Sequence, residues 1–230
     1  MERNFLEGEI LLINKDLNWT SFDVVNKARG MIKYHLKVKK IKIGHAGTLD
    51  PLATGLLILC TGPFTKRIEE FQDLKKEYTG AFYIGKTTPC YDLEKEPDMD
   101  YPVDHITEDM LLTVSKTFIG EIDQVPPIFS AVKLDGKPLY IYARKDQEVT
   151  IKSKKINIYE FELTKIEMPL VEFRVVCSKG TYIRSLARDF GEALGSGAYL
   201  SKLCRTRIGD FRLEDAMTLA ELNQEINNPQ

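Results

Sequence analysis

The sequence predicts an α+β fold, and two observations carry that expectation. Segments with the two-residue alternation of strands and segments with the helical period both occur, yet they do not follow the regular strand–helix–strand rhythm of a doubly wound sheet. The chain has 230 residues, enough for one large domain or two small ones. A chain of that length buries roughly 70% of its unfolded surface and needs no disulfide or metal to hold a core.

The elements follow in order. EGEILLINK reads as a strand. Thr20 with Asp23 three residues on forms a capping box, and Phe22, Val25, Ala28 and Ile32 give the next helix its apolar stripe. Residues 43–55, punctuated by Gly and Pro, are expected as a loop. LLILC after them suits a buried central strand, because both its faces are apolar. TKRIEEF is a short helix. Residues 76–85 alternate as a strand, with Tyr78, Gly80, Phe82 and Ile84 on one face. Residues 85–105 are acidic and proline-bearing and are expected as an exposed excursion. A helix over 108–118 ends at Gly120, Asp135-Gly136 forms a hairpin turn, and Pro138 opens a helix. LVEFRVVC is a strand. Thr181 caps a helix with Ile183, Leu186, Ala187, Phe190 and Leu194 on its apolar face; RIGDFRL is the last strand and AMTLAELNQEI the last helix.

Composition excludes several classes. No apolar run approaches the ~18 residues of a membrane span, and MERNFLEGEILLINK lacks the layout of a secretory signal; a cytoplasmic protein is expected. Cys60, Cys90, Cys177 and Cys204 form no CxxC pair, and Cys60 and Cys177 sit in apolar runs as small core residues. The net charge is only -2, so bulk charge announces no nucleic-acid binder. Its distribution says more. Lys27, Arg29, Lys33, Lys37, Lys39, Lys40 and Lys42 follow one another with no acid between them, which permits a local positive face. Such runs also serve simply as solvated surface.

GHAGTLDPLATG is the most unusual stretch. Gly44, Gly47 and Gly55 allow backbone shapes closed to other residues, and Pro51 forces Asp50 toward an extended conformation. A carboxylate on a stiffened loop that runs into a buried strand suits catalysis. A Leu-Asp-Pro triplet also serves as a plain turn. A phosphate-binding loop would need a Lys-Ser/Thr ending that is missing here, and His45 with Asp50 has no evident third metal ligand.

GHAGTLDPLATGLLILCTGPFTK resembles the signature of the TruB family of tRNA pseudouridine-55 synthases. The likeness continues through KKEYTGAFYIG, PPIFSAVKLDGKPLYIYARK, CSKGTYIRSLARDFGEALG and GAYLSKLCRTRIGDF. It implies the pseudouridine-synthase fold: a mixed, mainly antiparallel sheet with flanking helices and a central cleft, with residues 1–230 as a single catalytic domain. The family's nucleophile matches Asp50. Its active-site tyrosine matches Tyr78, able to stack on the base and help remove the C5 proton. Its arginine, paired with the aspartate, matches Arg184. His45 matches a residue beside the flipped nucleotide, Tyr182 and Leu200 match the lining of the uracil pocket, and Lys15 matches a lysine with a structural role.

The reaction implied is isomerisation of uridine to pseudouridine in the T-loop of tRNA, by a monomer, with no metal, redox cofactor or energy source. Ala46 and Cys90 depart from the threonine that other members often carry. The chain ends soon after AMTLAELNQEI, so the family's additional C-terminal PUA domain is not expected. RNA contacts are then assigned to Lys33, Lys37, Lys39, Lys40, Lys42, Lys133, Arg205 and Arg207. The rival readings are a synthase acting on another RNA and a tRNA-binding folding factor without catalysis.

Overall fold

The computed structural model describes residues 3–145, 147 and 149–227. The chain opens with strand β1 (Ile10–Lys15) and helix α1 (Ser21–Leu36). The capping box forms: the Thr20 hydroxyl accepts from the Asp23 amide at 3.0 Å and the Asp23 carboxylate accepts from the Thr20 amide at 2.9 Å. Strands β2 (Ile43–His45) and β3 (Ala53–Thr61), helix α2 (Ile68–Asp73) and strand β4 (Lys76–Ile84) follow. The loop expected over 43–55 is therefore shorter, because both of its ends find strand partners; residues 46–52 remain as loop.

Next come the short strands β5 (Lys86–Thr87) and β6 (Met99–Asp100), then helix α3 (Glu108–Thr117) and strand β7 (Gly120–Gln124). The excursion is exposed from Leu93 to Asp100, but Thr88, Cys90 and Asp92 before it are buried. The Asp135-Gly136 turn joins β8 (Lys133–Leu134) to β9 (Lys137–Pro138), both turn residues having positive φ, 49° and 78°, as a type I′ turn requires. Helix α4 (Leu139–Ala143) begins directly after Pro138. Strand β10 (Lys154–Glu167) has no counterpart in the expectations; its burial is interrupted and its polar residues dilute the alternation. Strand β11 (Leu170–Cys177) and helix α5 (Ile183–Ala193) come next. The cap of α5 is Tyr182, not Thr181, whose hydroxyl instead donates to the Ser178 carbonyl. RIGDFRL is a turn between the end of β12 (Ala198–Ile208) and β13 (Phe211–Arg212), and helix α6 (Leu219–Asn227) closes the chain.

Contacts divide the chain into two compact units: one takes the chain up to Tyr78 and again from Leu203, the other Thr79–Lys202. In the first, β3 is central. It pairs antiparallel with β1 and β2 and parallel with β12, which in turn pairs with β13. Leu57 and Leu59 face a core of Val24, Val25, Ala28, Ile32, Leu222 and Ile226 from α1 and α6. Leu56, Ile58 and Cys60 face Phe71 and Ile208 on the opposite side. Both faces of β3 are covered, which is why its sequence is apolar without alternation.

In the second unit the strand order runs β12–β4–β11–β10–β7, with β10 antiparallel to both neighbours. Its core is aromatic. The Phe82 ring stacks on Phe173 at 4.2 Å, and Phe118, Phe161 and Phe190 meet around them edge-on or tilted. Cys60 and Cys177 are fully buried core residues, as expected. The sheet is mixed, with helices packed on it, in agreement with the α+β expectation.

Candidate active site

Asp50 lies half-buried on loop 46–52 of the first unit. The loop's backbone is gripped by side chains from three elements. Ser21, the first residue of α1, accepts the Leu49 amide at 2.8 Å and donates to the Leu49 carbonyl at 3.2 Å. Lys15, at the end of β1, is fully buried and gives its ammonium hydrogens to the carbonyls of Trp19 at 2.6 Å, Asp16 at 3.0 Å and Pro51 at 3.4 Å. Arg205 on β12 donates to the Leu56 carbonyl at 2.8 Å and the Gly47 carbonyl at 3.1 Å. The Asn18 amide adds a bond to the Pro51 carbonyl, and the Ala53 amide one to that of Asp50.

The strand register explains this convergence. Gly55 pairs with Lys15 on one side and Arg205 on the other. Its φ is +104°, and a Cβ there would lie 2.4 Å from the Arg205 carbonyl oxygen. Only glycine allows β12 to approach, so the glycine-punctuated motif and Arg205 belong to one packing arrangement.

Two buried cations thus flank a loop bearing a carboxylate. Burial pushes the Lys15 ammonium down to about 8, while the Asp50 charge pulls it up and the Arg205 charge pushes it down again. His45, at the end of β2, is held below its ordinary value by burial and then by Arg205. Its Nδ1 is buried with no hydrogen-bond partner among the described residues, an arrangement natural proteins seldom leave unused. Tyr78 lies on β4 and is 9% exposed.

In the second unit Arg184 stands in the first turn of α5 and is itself buried. Its guanidinium donates to the carbonyls of Phe129 at 2.9 Å and Cys90 at 3.2 Å, and its Nε lies 3.5 Å from an Asp92 carboxylate oxygen. Asp92 is tied in turn. Its other oxygen accepts the Glu94 amide at 3.0 Å, and its carbonyl accepts the Thr88 hydroxyl at 2.7 Å. The Leu200 amide donates to the Tyr91 carbonyl at 2.9 Å, so Leu200 meets the same segment from β12. Tyr182 is half-buried, and its backbone is bracketed by the Gln124 side chain, which accepts its amide at 2.8 Å and donates to its carbonyl at 3.1 Å.

Sequence reasoning missed Asp92, Gln124 and Ser21. Asp92 opens an acid-rich run, Gln124 precedes two prolines, and Ser21 sits at a helix start, so none carried a local signal. One expectation needs correcting. Arg205, assigned to RNA, is 1% exposed and spends its guanidinium on backbone carbonyls; a surface phosphate cannot reach it. Arg207 is partly exposed and pairs with Glu77 at 3.4 Å. Lys37, Lys39, Lys40 and Lys42 are exposed, Lys33 partly so, and Lys133 is exposed in the second unit. Among the described residues no group of three or more His, Cys, Asp or Glu could hold a metal ion, and no helix is long and apolar enough to cross a membrane.

Comparison with known proteins gives a consistent result. Residues 33–183 match the TruB family pseudouridylate synthase N-terminal domain, and residues 184–229 the tRNA pseudouridylate synthase B C-terminal domain. A protein of Parabacteroides distasonis named tRNA pseudouridine synthase B is 57% identical over 96% of this chain and 94% of its own length. One of the same name from Phocaeicola vulgatus is 58% identical over 94% of this chain and 92% of its own. Among solved structures, one described as a Cbf5-Nop10-Gar1 complex superposes with a TM-score of 0.71 at 32% identity, covering 96% of this chain. This chain spans 54% of that one, about half its length. With a family match over most of the sequence and relatives aligned nearly end to end, the chain belongs to the TruB family of pseudouridylate synthases.

Proposed function

We propose that the chain isomerises a uridine of tRNA to pseudouridine, that of the T-loop at position 55, with Asp50 as the nucleophile. The observation that carries this reading is the loop itself: a carboxylate on a backbone held by two buried cations, Lys15 and Arg205. Such a group is placed in advance of the reaction, and placement supplies much of the rate.

In the reaction the N1–C1′ bond breaks, the base turns, and a C5–C1′ bond forms. The C5 proton is lost and N1 gains one, so every atom balances without a cofactor. Asp50 either attacks C1′ or takes the C2′ proton to give a glycal; both routes need an ionised carboxylate at the ribose. Tyr78 stacks on the base and assists removal of the C5 proton. By the resemblance to the family, the Arg184 guanidinium is assigned the role of keeping Asp50 charged and oriented. The uridine must leave its stack to react; His45 flanks it, and Tyr182 and Leu200 line the uracil pocket. The whole chain acts as one catalytic domain, as a monomer, in the cytoplasm.

The test is tritium release from tRNA labelled at uridine C5. Asp50→Asn should lower the rate by about a thousandfold or more while retaining tRNA binding. Turnover by the variant near the wild-type rate would remove Asp50 from the mechanism.

A further inference from the structure

The basic segment between α1 and β2 is exposed, but its cations border a common concavity. Arg29, Lys33, Lys39, Lys40, Ile41 and Lys42 line one open cavity of about 480 Å³ in the first unit. Arg29 and Lys33 are one helical turn apart on α1 and so share a face. Lys39, Lys40 and Lys42 arrive from the connecting segment. Arg29 is locked in place: its guanidinium donates to Asn26 Oδ1 at 2.6 Å and to the Ile43 carbonyl at 3.0 Å, tying α1 to the start of β2.

None of these five cations forms an ion pair with a described residue, and no acid occurs in the sequence between Asp23 and Asp50. That is unusual in a chain with 34 acidic residues, since mixed signs are the cheaper surface. Lys33 has a local reason to be basic, as it sits in the last turn of α1 and complements the helix dipole. Lys39, Lys40 and Lys42 have none. Like charges converging on a concavity raise each other's energy until an anion enters, and a concave wall focuses their field on it.

We propose that Arg29, Lys33, Lys39, Lys40 and Lys42 form a pocket for the phosphodiester backbone of the RNA substrate. The inference rests on the reading that this chain acts on RNA, and it sharpens where the RNA is gripped. Lys42 stands three residues before His45, about 10 Å of extended chain, so the phosphate held here lies within a nucleotide or two of the one His45 flanks. Ile41 and the lysine stems floor the pocket with apolar surface while the ammonium heads reach the phosphate oxygens. Lys37, Arg205 and Arg207, grouped with these residues by sequence, are not among those that line it.

The experiment pairs Lys33→Ala/Lys40→Ala with a control of equal charge loss, Lys116→Ala/Lys154→Ala, both exposed lysines of the second unit. Binding of unmodified tRNA transcript is measured across a salt titration, and tritium release in parallel. The pocket variant should bind about tenfold or more weaker, and its plot of log affinity against log salt should flatten by about two in slope. KM should rise with kcat within about twofold. The control should match wild type in all three. Equal affinity and slope for the pocket variant and wild type would overturn the proposal, as would an equal loss in the control. Tritium release by wild type is read separately: its absence would sink the functional reading, while the binding arms would still judge the pocket.

Discussion

Residues 46–52 in the first unit and residues 88–92 in the second are both short loops whose carbonyls are held by buried cations. In the first, Lys15 and Arg205 grip the carbonyls of Pro51 and Gly47, and the proposed nucleophile, Asp50, rides on the loop. In the second, Arg184 takes the Cys90 carbonyl and the Asp92 carboxylate, and the cation itself is the residue proposed to act. The first loop is held by its cations; the second holds one. A carboxylate on a loop needs its backbone fixed, whereas an arginine on a helix already has a fixed backbone and needs only its long side chain aimed. Single substitutions should therefore affect the two loops differently.

The largest effect is expected at Arg205. Arg205→Met leaves the Leu56 and Gly47 carbonyls without their donors, at about 3 kcal/mol for two buried acceptors. Urea denaturation should show that loss, and kcat should fall with it because the Asp50 loop relaxes. Arg205→Lys should recover part of the stability but little of the rate, since a point charge cannot span both carbonyls as a fork does. A variant that lost stability alone would mean that Arg205 supports β12 and not the loop.

The two loops also differ in how far the sequence reveals them. The first is written in residues with a physical peculiarity: glycines that alone permit the positive φ at Gly55 and a proline that stiffens Asp50. Arg205, which that glycine admits, is distant in sequence and reads as one more surface cation until the β3–β12 register is known. The second loop has no such punctuation. Asp92 begins DLEKEPDMD, where an acid is the commonest residue, and its importance arises only when α5 brings Arg184 to it. The central strands and helices were legible because their faces are uniformly buried. Strand β10 was missed because its alternation is broken at the two register shifts it carries.

Asp92 tests the other side of the comparison. Asp92→Ala removes the carboxylate from Arg184 and an acceptor from the Glu94 amide, and should cost about 2 kcal/mol. Asp92→Asn keeps an acceptor for that amide and should cost less than half as much. Both should lower kcat by a similar factor, because both release the guanidinium. Equal rates for Asp92→Asn and wild type would show that the Cys90 and Phe129 carbonyls suffice to aim Arg184.

Lys15 gives a pH-dependent contrast. Its folded value lies near 8, below its ordinary 10.5, so between those limits the unfolded chain binds more protons than the folded one. Stability from this group therefore rises as pH increases from about 8 to 10.5, and below 8 the cost of burying the charge is carried in full. Cys60, pushed up to about 11 by burial, has the opposite sign, so the comparison must be with a Lys15→Met variant. Wild type should gain on the order of 2 kcal/mol relative to that variant over the window. Over the same window kcat should fall, since a neutral amine has one fewer hydrogen for the loop carbonyls. A difference independent of pH would show that Lys15 does not titrate there.

The smallest expected effect bears on how the second loop manages without glycine. Tyr91 has φ +64°, which costs a non-glycine residue about 1 kcal/mol. Its ring lies under the Arg188 guanidinium at 5.0 Å, and its hydroxyl accepts from that guanidinium at 3.3 Å. Those contacts are worth about the same, so the strain is offset by a side chain where the first loop avoids it with glycine. Tyr91→Ala keeps the strain and loses the contacts, and should cost about 1 kcal/mol. Tyr91→Gly loses both and should come out near wild type. Gly above Ala by about 1 kcal/mol in urea denaturation is the signature of strain held by contact; equal values would place the balance elsewhere in residues 88–92.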